Sequence, residues 1–216
     1  MLCGFLPLAL ALVSCSSGPP EILGVEWNLE TRPMAGGVRE TRNDLAVFAR
    51  IHDPDGVDDI ESLWVIDDAA ELTWHLGPSS WTKRSLGEED WFGAAGLTMP
   101  DGSAPPPGHY RFVAADLAGN RVDYAFTISN LILAETLPVP EWKGGRVTLS
   151  ARWPENYLLA YDAAGSLLRS AVLPREGGSL ASIVGSVDAS RTAAFAVYGY
   201  DPSNRRGAFS ERISIR

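Results

Sequence analysis

Downstream of Cys15 the chain has no cysteine at all; its two cysteines, Cys3 and Cys15, both fall within the first fifteen residues. That absence removes disulfides, Cys-ligated zinc, iron–sulfur clusters and thiol nucleophiles from everything that follows. Histidine is nearly as scarce, with His52, His75 and His109 only. No His-Glu-x-x-His helix, Gly-x-Ser-x-Gly elbow, P-loop or Rossmann glycine pattern occurs. Nor does any apolar run reach the roughly 20 residues of a membrane-spanning helix. Basic residues form no stripe: Lys143 with Arg146, and Arg205 with Arg206, are short local clusters, and 27 acidic residues outweigh 18 basic ones for a net charge of -9. A field of that sign repels phosphate backbones, so nucleic acid is not an expected partner. What is present is a globular composition, 45% hydrophobic and 21% charged over 216 residues. That length suits one large β domain or two smaller ones.

The first fourteen residues are uncharged and dominated by Leu, Ala, Val and Phe. The run is too short to span a bilayer but matches the apolar region of a signal peptide. Leu12-Val13-Ser14-Cys15 resembles the bacterial lipobox, and the resemblance implies cleavage before Cys15 and diacylglycerol on its sulfur. Two or more acyl chains anchor a domain stably where one is marginal. Ser16 in place of Asp implies export to the outer membrane in a diderm cell. Ser16-Ser17-Gly18-Pro19-Pro20 has the composition of a short tether. The expected plan is therefore a signal peptide over 1–14 and a lipidated tether over 15–20. One departure from the pattern is an n-region without Lys or Arg, and a buried N-terminal strand is the competing reading.

From Glu21 onward the apolar period is two, and no long amphipathic helix is expected. Leu23, Val25, Trp27 and Leu29 alternate, as do Leu45, Val47, Ala49 and Ile51, and then Leu72, Trp74 and Leu76. Leu63-Trp64-Val65-Ile66 is a nearly continuous apolar run, expected where both strand faces are covered, and Trp64 and Trp74 read as core. Asp53-Pro54-Asp55-Gly56 and Asp116-Leu117-Ala118-Gly119-Asn120 read as tight connections between strands. "GHYRFVAADLAGNRVDYAFTI" resembles the closing hairpin of bacterial immunoglobulin-like domains. "AAFAVYGYDPSNRRGAFSERISI" resembles the last two strands of fibronectin type III domains. The two stretches also echo each other, Val113…Asp116…Asn120-Arg121 against Val197…Asp201…Asn204-Arg205. The fold expected is all-β, with an immunoglobulin-like β-sandwich over 21–130 and a fibronectin type III-like β-sandwich over 131–216. A single larger jelly roll is the alternative. In the second block Leu167–Leu173 and Leu180–Val187 read as strands, and the 77–108 stretch as a long connection.

Three groups of residues invite a chemical reading. His52-Asp53-Pro54-Asp55-Gly56-Val57-Asp58-Asp59 gathers four carboxylates in eight residues, and hard cations favour such oxygen clusters. Asp53, Asp55, Asp58 and Asp59 are thus calcium candidates, although the stretch reads first as a structural turn. An EF-hand does not fit, because placing Gly56 sixth makes Ile51 the first ligand. Trp81, Trp91 and Phe92 lie beside expected loops, where exposed aromatics can stack on sugars or anchor a protein. Partial burial under the connection is the plainer reading. Asp67-Asp68 and Glu88-Glu89-Asp90 supply paired carboxylates but read as solvated loop charge. Cys15 is the lipidation site. Together these point to a lipid-anchored envelope protein, non-enzymatic and without a cofactor. Its role would be binding, adhesion or assembly with a protein partner; a carbohydrate-binding module is the alternative and a secreted hydrolase the distant third.

Overall fold

The computed structural model describes residues 18–34, 40–86, 89–129 and 136–215. The strands run β1 (Glu21–Pro33), β2 (Thr41–His52), β3 (Ile60–Asp67), β4 (Leu72–Leu76), β5 (Thr82–Leu86), β6 (Glu89–Thr98), β7 (Gly108–Asp116) and β8 (Arg121–Ile128). They continue with β9 (Val139–Lys143), β10 (Arg146–Ala151), β11 (Glu155–Tyr161), β12 (Leu167–Val172) and β13 (Gly178–Ser179). Two short helices follow, α1 (Leu180–Val184) and α2 (Ser186–Arg191), then β14 (Ala194–Asp201), β15 (Arg206–Phe209) and β16 (Ile213–Ser214). The protein is mostly β.

Among the described residues the strands make three sheets. A nine-stranded one has the order β12-β11-β14-β15-β1-β2-β6-β5, with β16 added on β14; the others are β4-β3-β7-β8 and β13-β10-β9. Two buried clusters lie between these layers. One joins Leu45, Val47 and Phe92 of the long sheet to Leu63, Val65, Tyr110 and Phe112 of the four-stranded sheet. The other joins Leu158, Phe195 and Val197 of the long sheet to Val147, Leu180 and Val184. One cluster draws on residues before 130 and the other on residues after it, but the strands around them do not form separate sheets. β1 pairs in parallel with β15, Leu29 opposite Arg206 and Thr31 opposite Ala208, while its other edge pairs antiparallel with β2. Register carries Leu29 to the same face as Val197 and Phe195, so both cores lie on one side of one sheet.

Five local expectations are corrected. A bulge between Ile22 and Gly24 shifts the phase of β1, so Ile22 is buried and Leu23 is 44% exposed. Leu63 and Val65 fill the core, which by the two-residue strand period sends Trp64 to the outer face. There it stacks on His75 with ring centroids 5.1 Å apart, under the Arg121 guanidinium. Residues 82–86 and 89–98, inside the expected connection, are strands of the long sheet. Leu180–Val187 is helical rather than extended. Ser179 caps α1 by accepting a hydrogen bond from the Ser182 amide, and Gly185 at φ 88° turns the chain into α2. The Gly18–Pro20 part of the expected tether also belongs to the packed body: Pro20 is buried, and a Cβ on Gly18 would lie 3.0 Å from Pro54.

Tight packing at the junction sets one constraint. The Tyr198 ring lies over Gly207 so closely that a Cβ there would collide with it. The ring cannot swing away freely, because Phe209 and Tyr200 flank it at 4.6 and 6.1 Å. Gly207→Val is expected to cost about 1–3 kcal/mol, as overpacking does, read as a lowered denaturant midpoint at unchanged slope. A loss of under about 0.5 kcal/mol, typical of an unconstrained surface site, would show that Tyr198 is not clamped.

Candidate functional site

The Asp53–Gly56 turn and the Asp116–Asn120 hairpin loop come from distant parts of the sequence and meet at one end of the first core. After the turn, Val57–Asp59 forms a single 3-10 turn and leads into β3. Leu117 donates its amide to the Asp59 carbonyl at 2.9 Å, which locks the two connections together. The result is a cluster the sequence does not display: one carboxylate oxygen from each of Asp53, Asp59 and Asp116 falls within 4.8 Å of the others. Asp116 is 0% exposed and Asp53 5%. Of the four calcium candidates, Asp53 and Asp59 enter the cluster. Asp55 and Asp58 are exposed and stand outside it.

The three carboxylates have different surroundings. Asp116 accepts from the Asn120 amide and from Asn120 Nδ2, both at 2.8 Å. Although its burial opposes ionisation, these bonds hold its pKa below the usual aspartate value. Asp53 Oδ1 accepts from the Asp55 amide at 2.9 Å, while its buried Oδ2 has no partner. Asp59 sits against the other two, and loss of hydration together with the charges of Asp116 and Asp53 raises its pKa. No ion pair among the described residues reaches any of the three. Sequence reasoning placed Asp116 in a turn and missed its role here. The signal that would have found it is the return of an Asp at the end of the strand pairing with β3, since Ile60 stands opposite Asp116.

The aromatic candidates separate. Phe92 is 1% exposed and points into the first core, because β6 runs through the long sheet rather than at a loop; its expected ligand contact is corrected on that ground. Trp81 packs edge-on against Phe92 at 5.4 Å and is half-buried. Trp91 faces the opposite side of the sheet, in register with Arg50 and Arg84. The indole Nε1 groups of both tryptophans are buried without a hydrogen-bond partner. Of the histidines, His75 and His109 are exposed and approach Ser62 and Thr127 hydroxyls; His52 is exposed too. Cys15 and residues 1–14 lie outside the described residues.

Trp91 belongs to a larger surface. Register places Tyr157, Tyr198, Tyr200 and Phe209 on the face of the long sheet that both cores leave open. The same face carries Glu30, Arg32, Asp44, Phe48 and Arg50. Arg32 lies 3.8 Å over the Phe209 ring and Arg84 4.0 Å over Phe48. Asp44, 0% exposed, is held between Arg32 Nε at 2.9 Å and Arg42 Nε at 3.1 Å. Burial, with Glu30 and Tyr200 close by, pushes the Tyr198 phenol far above its ordinary value, so it stays a neutral hydrogen-bond partner for Asn28 Nδ2 at 3.3 Å. Seven cation–π contacts occur among the described residues, where a chain of this length averages about three. Six of the sixteen arginines lie over aromatic rings in this way.

No protein-family model matches the chain, and no curated protein matches it. Among solved structures it is similar to dimeric latent PorU from Porphyromonas gingivalis, at 14% identity and a TM-score of 0.37, over 91% of this chain and 20% of that one. A likeness of that size does not define the fold.

The acidic cluster carries opposite pH signs at two positions. Asp59 has a raised folded pKa, so its contribution to stability falls as pH rises above the usual aspartate value of 3.8. In chelator at pH 7, Asp59→Asn should melt a few degrees higher than the parent, and the gain should vanish below that pH. Asp116 has a lowered folded pKa, so its stabilisation is present above 3.8 and is lost as pH falls through the folded value. Asp116→Ala should melt several degrees lower at pH 7, with a smaller deficit in acid. Thermal melts of the two variants across that range check both signs; the same sign for both would rule out this account.

Proposed function

We propose that the protein is a bacterial envelope lipoprotein, acylated at Cys15, whose role is non-catalytic binding or assembly. One observation supports the binding role above the others. The open face of the long sheet combines Tyr157, Tyr198, Tyr200, Phe209 and Trp91 with Arg32, Arg50 and Arg84. Aromatic residues and arginine are the side chains enriched where proteins recognise proteins. Beside that face runs β12, which among the described residues pairs only with β11 and leaves Leu167 55% and Val172 69% exposed. An unpaired strand edge with apolar side chains is suited to strand addition by a partner. The immunoglobulin-like and fibronectin type III-like reading of the two blocks stands with this proposal, supported by the hairpin loops. Asp116 bonds Asn120, and Asp201 accepts from Ser203 N and Asn204 Nδ2 at 3.1 and 2.8 Å.

Anchoring rests on Leu12-Val13-Ser14-Cys15 and puts the protein at the outer membrane. Metabolic labelling with palmitate should tag the full chain, and Cys15→Ala should remove the tag and release the protein from the membrane fraction. Label that persists in the variant sinks the anchor. The binding role has its own test, capture from envelope extract of the producing cell. Tyr200→Ala combined with Val172→Asp should weaken recovery of the captured protein at least tenfold, as loss of hot-spot contacts does, without lowering the melting temperature by more than a few degrees. Undiminished capture would move the contact off this face. Elution by free oligosaccharide in place of protein exchange would favour the glycan-binding alternative at Trp81 and Trp91.

A further inference from the structure

We propose that Asp53, Asp59 and Asp116 form a calcium site that ties the Asp53–Gly56 turn to the β7–β8 hairpin. Three carboxylates converge to within 4.8 Å, and two of them, Asp53 and Asp116, are 5% and 0% exposed. A buried carboxylate oxygen is normally hydrogen-bonded or ion-paired, because burying it bare costs free energy. Asp53 Oδ2 has neither kind of partner. Among the described residues no lysine or arginine forms an ion pair with any of the three carboxylates. The unpartnered oxygen and the unbalanced charge both ask for a cation.

The donor set selects which cation. All-carboxylate oxygen ligands suit hard divalent ions and not thiophilic metals. Calcium accepts 6–8 oxygen ligands at about 2.3–2.6 Å in flexible geometry, whereas magnesium demands a near-ideal octahedron at about 2.1 Å and keeps most of its water, so carboxylates gathered from two connections suit calcium better. Asp116 is already fixed by Asn120 on both oxygens, and each oxygen keeps a lone pair for the metal. With three protein carboxylates, water must complete a coordination number of 6–8, so affinity falls in the weak, extracellular class of about 10⁻⁴–10⁻³ M. The ion would neutralise the group and crosslink two connections that are 57 or more residues apart in sequence, as the numbers of Asp59 and Asp116 give (116 minus 59). The site stands independently of the lipid anchor and of the binding face.

The test uses the full chain, stripped with chelator, followed by calorimetric titration and melting in CaCl2 raised to about 10–100 mM, a hundredfold above the expected dissociation constant. One site per chain is expected, with a midpoint rise of about 5 °C or more when calcium stands a hundredfold above its dissociation constant. Asp59→Asn should bind at least tenfold more weakly and lose the rise, while still folding, since it is expected to melt higher than the parent without calcium. Asp58→Asn, outside the cluster, should keep the full response. Absence of heat and of any shift in the parent overturns the proposal, as does a full response in Asp59→Asn or its loss in Asp58→Asn. An equal response to MgCl2 would overturn the assignment to calcium.

Discussion

The parallel pairing of β1 with β15 is the contact on which the rest of the architecture depends. It is short, three residue pairs from Leu29–Arg206 to Thr31–Ala208, and parallel pairing is slightly weaker per residue than antiparallel pairing. Side chains reinforce it along its length. Leu29 donates its amide to the Arg205 carbonyl at 2.9 Å, Asn28 reaches across to Tyr198, Arg205 meets Glu26 at 3.1 Å, and Arg32 covers Phe209. Without this pairing, β1 and β15 would each present an open edge, and the two buried clusters would belong to two separate bodies. With it, one sheet runs beneath both clusters, and everything that faces away from them becomes one surface.

That surface solves a problem the long sheet creates. A sheet packed on one side exposes the other to water, and here the open side includes Ala46 at 2%, Phe48 at 8% and Leu159 at 8% exposure. Phe48 lies under the Arg84 guanidinium at 4.0 Å, and Phe209 on the same face lies under Arg32 at 3.8 Å. Long cationic side chains cover apolar area with their stems and guanidinium planes while remaining hydrated at the edge. The cover engages the charge of Arg32 and Arg84 with aromatic rings. It also leaves half-buried tyrosines at the sheet's centre, the composition that the binding proposal relies upon.

The sequence made most strands legible, because alternation survives wherever one face is buried and the other wet. Leu45, Val47, Ala49 and Ile51 on β2 are all buried as their spacing requires. It failed where a second effect overrode the period. A bulge inverted β1 at Ile22, and the same two-residue period that buried Leu63 and Val65 turned Trp64 outward, a tryptophan whose bulk alone suggested core. Strand β6 was hidden because Glu89, Asp90, Gly93 and Gly96 lower its apolar signal, although Gly93 is needed: a Cβ there would strike the Val47 and Phe48 backbone. Helices α1 and α2 are short and capped by Ser179 and Gly185, features that resemble a strand bounded by turns. The candidate acidic group was half legible. Asp53 and Asp59 are near neighbours in sequence, but Asp116 joins them only through the pairing of β3 with β7, and no local pattern carries that contact.

The same pairing bears on how an anchored molecule would meet its membrane. Gly18 lies against Pro54, so the chain leaves the body beside the Asp53–Gly56 turn. Two residues stand between Gly18 and Cys15, and the three Cα–Cα steps reach about 11 Å at full extension. A lipid on Cys15 would therefore hold the acidic end of the first core within about 11 Å of the acyl chains, not at the distance of a flexible stalk. Charges interact appreciably over about 8 Å at physiological ionic strength, so three carboxylates at that end would repel an anionic bilayer and tilt the body away. A bound divalent ion removes two of those three charges and with them most of the repulsion. An anchor at Cys15, as proposed, would thus put the proposed calcium site where its charge bears on contact with the bilayer.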